Sequence, residues 1–263
     1  MPVGQTPPVP HPDAATVAVL TCAALLAGAV NAVAGGGSLI SFPALLWAGY
    51  PPVVANVTNT VALLPGFGGG TLAYRAELAG QERRVRLLAG VSVGGAVLGS
   101  LLLLVGPASL FSRLVPWLIL FACAVLAAQP AIAGLLRRRH PDAGRPGERS
   151  PVLLAAQGVS AVYGAYFGAG LGVLMLALLG IFVDDRLQRL NALKGLLALV
   201  VNVVASVCFV AAGRVAWLGV AIMAVGSLVG GQVGVAAARR LDDRVLRAVV
   251  IAFGTAVAVR LLL

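Results

Sequence analysis

Residues 28–45 read GAVNAVAGGGSLISFPAL, and the fold turns on Ala34-Gly35-Gly36-Gly37-Ser38 at the centre of that stretch. The glycines interrupt an apolar run, and each glycine in a helix interior costs about 1 kcal/mol relative to alanine. Three in succession end one helix and let another begin. The flanking sequence sets the depth of the break. No Asp, Glu, Lys or Arg occurs between Asp13 and Arg75, between Arg86 and Arg113, or between Arg149 and Asp184. A helix rises about 1.5 Å per residue and the hydrocarbon core of a bilayer is about 30 Å thick, so about 20 apolar residues make one crossing. With 60% of the 263 residues hydrophobic and 11% charged, too little polar surface exists to cover a water-soluble body. The chain reads as a membrane protein with about seven or more spans.

As one helix, residues 14–74 would be about 90 Å long. Pro43, Pro51, Pro65 and the glycine clusters are expected to interrupt this run, so that it folds back on itself. Further candidate segments are 87–105, 114–136, 151–183, 190–213, 215–238 and 248–263. The 151–183 run is too long for one span and short for two, with Gly168, Gly170 and Gly172 in its middle. A second broken hairpin is the expectation.

Sliding the chain against itself by 135 positions places Gly35 on Gly170, Gly37 on Gly172, Asn56 on Asn191, Gly95 on Gly230 and Gly99 on Gly234. That pattern is an internal repeat. Arg83, Arg84 and Arg86 follow the second segment of the first half, where the second half offers only Arg214. The next loops reverse the bias, with Arg113 against Arg239, Arg240, Arg244 and Arg247 beside Asp242 and Asp243. Basic loops stay in the cytoplasm, so equivalent loops are expected on opposite faces and the repeat is expected to be inverted. The expected architecture is an all-α polytopic membrane protein of two inverted repeats, each a broken, re-entrant-like hairpin followed by three transmembrane helices. Its layout is an extracytoplasmic tail at 1–13, a first repeat at 14–136, a cytoplasmic Arg-rich linker at 137–150 and a second repeat at 151–263. Both termini then lie outside. The apolar run after the tail is too long for a signal peptide, so no cleavage is expected.

Broken backbone at membrane depth must be buried in protein or line a cavity. A half-helix starting at Ser38 would aim unpaired N–H groups and a positive dipole end at the break, an arrangement suited to an anion, and the repeat supplies a second such end near Gly172. Asn56, Thr58, Asn59 and Thr60 bring amides and hydroxyls into the next segment, where each unpartnered group costs a few kcal/mol. Asn56, Asn59 and Thr60 share a helix face, while Thr58 points elsewhere. The same offset sets Asn191 at the place of Asn56 and Lys194 at that of Asn59. Lys194 is the one lysine among nineteen basic residues and stands inside an apolar run, where a charge is costly and functional. Against this stands a Lys194 that snorkels to the interface from one turn inside the Arg189 boundary. The glycines at 90, 94, 95, 99, 226, 230 and 234 are expected to serve helix packing. Asn31, Gln157, Tyr163, Tyr166 and Asn202 are expected to find partners on neighbouring helices.

Several function classes drop out. The net charge of +10 sits in short clusters between apolar runs, which argues against nucleic acid. Cys22, Cys123 and Cys208 stand alone, so no metal site and no cofactor are expected. The two histidines, His11 and His140, fall in the tail and linker, which leaves a hydrolase without a base and a haem without an axial ligand. No carboxylate lies in a span interior to relay protons. The residues favour a carrier of small anions rather than an enzyme, with an anion channel or a non-transporting structural membrane protein as alternatives.

Gly28, Gly35-Gly36-Gly37, Pro43, Leu45, Gly49, Pro52, Ala55 and Thr58-Asn59 resemble the first-repeat signature of the TauE/SafE sulfite exporter family, which includes 4-toluene sulfonate uptake permease-like transporters. The resemblance spans about residues 14–263, with a weaker second copy through Gly168, Gly170, Gly172, Asn191 and Lys194. It implies a multi-pass protein of the bacterial inner membrane that moves sulfite, sulfonates or related anions. Carried over by position, the candidate substrate contacts are Gly35, Gly36, Gly37, Ser38, Asn56, Thr58, Asn59, Gly170, Gly172, Asn191 and Lys194. The second copy departs from the pattern, with Leu178 at the place of Pro43 and Leu193 at that of Thr58, so unequal duties are expected of the two halves. The expected partners are the small anion and the lipid bilayer; a coupling ion, H+ or Na+, and a homo-oligomer are left open.

Overall fold

In the computed structural model of the chain, residues 13–33, 35–138, 150–237 and 243–263 are described, with backbone alone at 32–33, 73, 132–133, 135–138, 233–237 and 243–246. The tail up to residue 12, the linker at 139–149, and Arg239, Arg240 and Asp242 lie outside the described residues. Ten α-helices follow in order: α1 (Ala14–Val33), α2 (Ser38–Trp47), α3 (Pro52–Ala73), α4 (Glu82–Val105), α5 (Ala108–Arg138), α6 (Pro151–Tyr166), α7 (Leu171–Phe182), α8 (Leu187–Ala211), α9 (Trp217–Ala237) and α10 (Asp243–Leu262). No strand occurs among the described residues.

Local chemistry marks the starts. The Asp13 carboxylate accepts the Thr16 N–H at 2.9 Å ahead of α1. Pro52 and Pro151 open α3 and α6, where a missing N–H costs no intrahelical bond. Among the described residues, four segments are long and apolar enough to cross a membrane: Ala14–Asn31, Glu82–Val105, Ala108–Ala131 and Leu187–Ala211. Ser38–Trp47, Leu171–Phe182 and Trp217–Gln232 are shorter apolar helices.

Polarity is distributed as lipid requires. Val105 is 82% exposed, and Leu98, Leu101, Leu102, Val207 and Val225 also face outward, while Ser92, Ser100, Gln157 and Ser227 are buried. Apolar exposure on this scale suits a hydrocarbon solvent rather than water.

Helices α1–α5 and α6–α10 repeat one pattern: a helix, a break, a half-length helix, then three long helices. Their packing interleaves. The first helix of each half lies on the fourth of the other, α1 on α9 and α6 on α4, while α3 meets α9 as α8 meets α4, and α2 meets α10 as α7 meets α5. Pairs of equivalents, α3 with α8 and α5 with α10, close the body. Small residues permit the tightest contacts. Gly95 and Gly99 of α4 press on Gly158, Ala161 and Val162 of α6, and Gly226 and Gly230 of α9 press on Thr21 and Leu25 of α1. The packing role expected of Gly90 and Gly94 fails, because a Cβ on either would meet nothing within 4 Å. The surroundings of Gly234 are not described.

The run 14–74 does fold back, but at other punctuation than all the prolines suggested. The breaks fall between Val33 and Ser38 and between Trp47 and Pro52, while Pro43 and Pro65 lie inside α2 and α3. Helix α3 also continues through a second glycine triple, Gly68–Gly70. Its neighbour supports it next to Pro65, just before that triple: Ser227 Oγ of α9 accepts the Gly66 N–H at 3.2 Å, and Gly231 of α9 packs against Gly66. Tertiary partners of this kind let helices survive breakers inside a bundle.

Candidate substrate site at the paired helix breaks

At the first break α1 stops at Val33 and α2 resumes at Ser38. The Gly35 N–H donates to Val30 O at 3.0 Å, and Gly35 takes φ +79°, a conformation that costs an L side chain steric strain. The Gly37 N–H donates to Asn31 Oδ1 at 2.8 Å, so a side chain from the last turn of α1 holds the first turn of α2. A Cβ on Gly37 would run into Ala27 O and come within 2.8 Å of Asn31 Cγ, so the backbone can lie this close to α1 only as glycine.

The second break is built alike. Phe167 N–H and Gly168 N–H both donate to Tyr163 O, at 2.9 and 3.1 Å, and Gly170 precedes α7 with φ +74°. The Tyr163 hydroxyl donates to Ala169 O at 2.6 Å across the gap.

The breaks meet. A Cβ built on Gly35 would lie 2.7 Å from Gly172 Cα, and one built on Gly172 would lie 2.8 Å from Gly35 Cα, so the two backbones touch. The starts of α2 and α7 thereby converge, each a positive dipole end, but the first-turn N–H groups expected to be free are largely taken: Leu39 and Ile40 donate to Gly36 O and Gly37 O at 3.1 and 2.9 Å, and Leu171 and Val173 to Gly168 O and Gly170 O at 3.2 and 3.0 Å. Beside them runs the Lys194 side chain, its Cδ 3.6 Å from a Cβ position on Gly172. Lys194 is 5% exposed, so it does not snorkel out of the body here, and no carboxylate pairs with it among the described residues.

Lys194 borders a cavity of about 30 Å³, wide enough to admit water. Asn191 and Gly195 of α8, Asn31 of α1, and Gly66, Phe67 and Gly70 of α3 with Tyr74 complete the wall. Of the expected contacts, only Asn191 and Lys194 line this cavity. Gly35 and Gly172 meet next to Lys194, whereas Gly36 faces Leu126 and Gly170 faces Ala122, both of α5. Ser38, half-buried, opens α2.

The polar face of α3 serves other ends. Asn56 Nδ2 donates to Tyr166 O at 3.0 Å and so props the broken end of α6. Thr58 Oγ1 accepts the Ala216 N–H at 3.1 Å, tying α3 to the approach to α9. Asn59 is 2% exposed, and its Oδ1 has no partner. Asn31, expected only to find a partner on a neighbouring helix, lines the cavity, and so do Gly66, Phe67, Gly70 and Tyr74, which were not among the expected contacts. The missed signal is spacing: Gly66 and Gly70 lie four residues apart and so clear one face of α3, with Tyr74 one turn on at its C-cap.

A charged cluster stands at the start of α8, one to two turns before Lys194. Arg84 Nη1 donates to Asp185 Oδ2 at 2.8 Å and to Gln81 Oε1 at 2.7 Å, while Arg189 Nε lies 3.0 Å from Asp185 Oδ1. Gln81 Nε2 donates to Glu77 O at 2.8 Å and to Arg189 O at 3.3 Å. Burial pushes the Asp185 carboxyl up, but hydrogen bonds from Arg84, the Arg186 N–H and Arg189 outweigh it and hold the group below its ordinary value of 3.8.

A helical body with an apolar exterior and four described helices long and apolar enough to cross a bilayer belongs to the class of multi-pass membrane proteins. Residues 20–261 match the Sulfite exporter TauE/SafE family, and the chain belongs to that family. It is 27% identical over 248 residues to "Probable membrane transporter protein ORF9" of Sinorhizobium sp, covering 94% of this chain and 92% of that one. It is 27% identical over 221 residues to a "Probable membrane transporter protein" of Haemophilus influenzae, covering 83% of each. It is 24% identical over 244 residues to "Probable membrane transporter protein YfcA" of Escherichia coli K12, covering 93% and 88%. No solved structure matches the chain. The chain is a membrane transporter of the TauE/SafE type, and its relatives carry the names of transporters rather than enzymes.

Proposed function

We propose that this transporter carries small sulfur oxyanions, sulfite and sulfonates among them, across the bacterial inner membrane by alternating access. The observation that carries the reading is the meeting of the α2 and α7 starts at Gly35 and Gly172 beside the buried Lys194. A buried ammonium without a counter-charge is costly by several kcal/mol, and an anion at the two helix ends offsets that cost. Lys194, the backbone at Gly35–Gly37 and Gly170–Gly172, Ser38 and Asn191 are the proposed contacts. Asn56, Thr58 and Asn59 stand behind them as positioning residues.

An inverted repeat fits the helix directions. Thr21 with Gly226 and Leu25 with Gly230 support α1 and α9 running together, and Gly95 with Gly158 and Gly99 with Val162 support the same for α4 and α6. The short turn through Arg75–Leu78 between α3 and α4 also supports equivalent helices of the two halves pointing opposite ways. The Arg84–Asp185–Arg189 end is the cytoplasmic one in this reading, and the end bearing exposed Trp47 and Trp217 faces out.

The test is radiolabelled sulfite flux in proteoliposomes, beside K194A and protein-free vesicles. Saturable flux with counterflow, lost in K194A, supports carrier and site together. Saturable flux unchanged in K194A keeps the carrier and removes the site; linear flux without counterflow points to a channel; flux no greater than in protein-free vesicles overturns the substrate.

A further inference from the structure

Asn31 is half-buried in the last turn of α1, and its Oδ1 is committed to the Gly37 N–H at 2.8 Å. A backbone N–H can be accepted only by the amide oxygen, so this bond fixes which way the carboxamide is turned. The Nδ2 group and its two N–H donors are left over, with no acceptor among the described residues. Asn31 borders the same cavity as Lys194 and Asn191, and Lys194 is itself buried without a partner among the described residues. At the equivalent place in the second half, 135 positions on, stands Tyr166, whose backbone carbonyl is already taken by Asn56 Nδ2. The amide donor is therefore a property of the first break alone.

We propose that Asn31 is a positioning and specificity residue of the anion site: its oxygen pins the start of α2, and its Nδ2 donates to the anion alongside Lys194. This rests on the anion-carrier reading and sharpens it. Donors on α1 and α8 that share one cavity are met best by an oxyanion, which offers one oxygen to Asn31 and another to Lys194. Chloride can accept from both donors too, but it has no separate oxygens to divide between them, which makes it the discriminating competitor.

The test is saturable uptake of radiolabelled sulfite by wild type, N31D, N31A and K194M in proteoliposomes, with chloride as competitor and thermal unfolding in detergent alongside. N31D keeps an oxygen for the Gly37 N–H and replaces the donor by a charged acceptor. The expected result is unfolding like wild type with KM for sulfite raised about tenfold or more. N31A, which loses both functions, is expected to unfold earlier and to raise KM as well, and chloride is expected to compete only weakly. If N31D does not yield monodisperse protein, N31S, whose hydroxyl both accepts and donates, takes its place with a smaller rise expected. An unaltered KM in N31D, or in N31S where it stands in, overturns the role for Nδ2. K194M with wild-type uptake, beside N31D with raised KM, removes Lys194 from the site and keeps Asn31. Wild type that takes up neither sulfite nor methanesulfonate overturns both proposals.

Discussion

One methyl group added at Gly172 would bring its Cβ within 2.8 Å of Gly35 Cα, where backbone rather than a yielding side chain stands in the way. Overpacking of this kind costs about 1–3 kcal/mol, so G172A is expected to unfold earlier in detergent and to lose most sulfite uptake. Gly68 is the control, since a Cβ there meets nothing within 4 Å, and G68A is expected to match wild type in both measurements. Asn56 separates support from contact. N56A leaves the Tyr166 carbonyl without its donor, at about 1–3 kcal/mol, so lower stability with unchanged KM is expected from thermal unfolding and uptake. A raised KM would return Asn56 to the contact set. Residue types and the 135-position offset made Gly35, Gly172 and Lys194 legible in the sequence. Asn31 was not, because one amide near a helix end looks the same whether it caps a neighbouring turn or faces lipid headgroups.

Between elements, the Arg84–Asp185–Arg189 cluster joins the first turn of α4 to the start of α8, and so joins the two halves. D185N keeps the shape and removes the charge, with an expected loss of about 2 kcal/mol in stability. The pH dependence follows from the direction of the Asp185 shift. Its folded value lies below the ordinary 3.8, so the unfolded chain binds the proton first. The contribution is full above that ordinary value and disappears as pH falls through the folded one. Thermal unfolding of wild type and D185N from about pH 6 to about pH 3 is expected to show the two converging at the acid end, whereas a constant difference would assign the cluster no role in acid stability. Helix boundaries show the limit of reading elements from composition. Three glycines at 35–37 end a helix while three at 68–70 do not, and composition alone does not separate the two sets.

Across the whole molecule, the proposed inversion of the repeat makes a prediction about sidedness. In a background with Cys22, Cys123 and Cys208 replaced, R83C, in the first turn of α4, and R214C, just before α9, mark equivalent ends of the fourth helices of the two halves. A membrane-impermeant maleimide applied to intact spheroplasts is expected to label R214C, and R83C only after lysis. Labelling of both from one side would make the repeat parallel. The interleaved packing also explains why neither half is expected to stand alone: α1 and α6 find their main partners, α9 and α4, in the opposite half.

By itself the sequence determined the solvent, the class and the repeat. Charge-free runs long enough to cross hydrocarbon, the arginine clusters between them and the 135-position spacing are local or periodic facts, and the family signature rests on the same residues. Only the tertiary structure decided that Gly35 and Gly172 touch, that Lys194 is buried beside them, that Asn56 and Thr58 are spent on Tyr166 and Ala216, and that Asn31 spans the first break. The physical reason is that hydrophobicity and helix propensity act along the chain. The pairing of a particular donor with a particular acceptor depends on which helices pack together, and in this body those partners come largely from the other half.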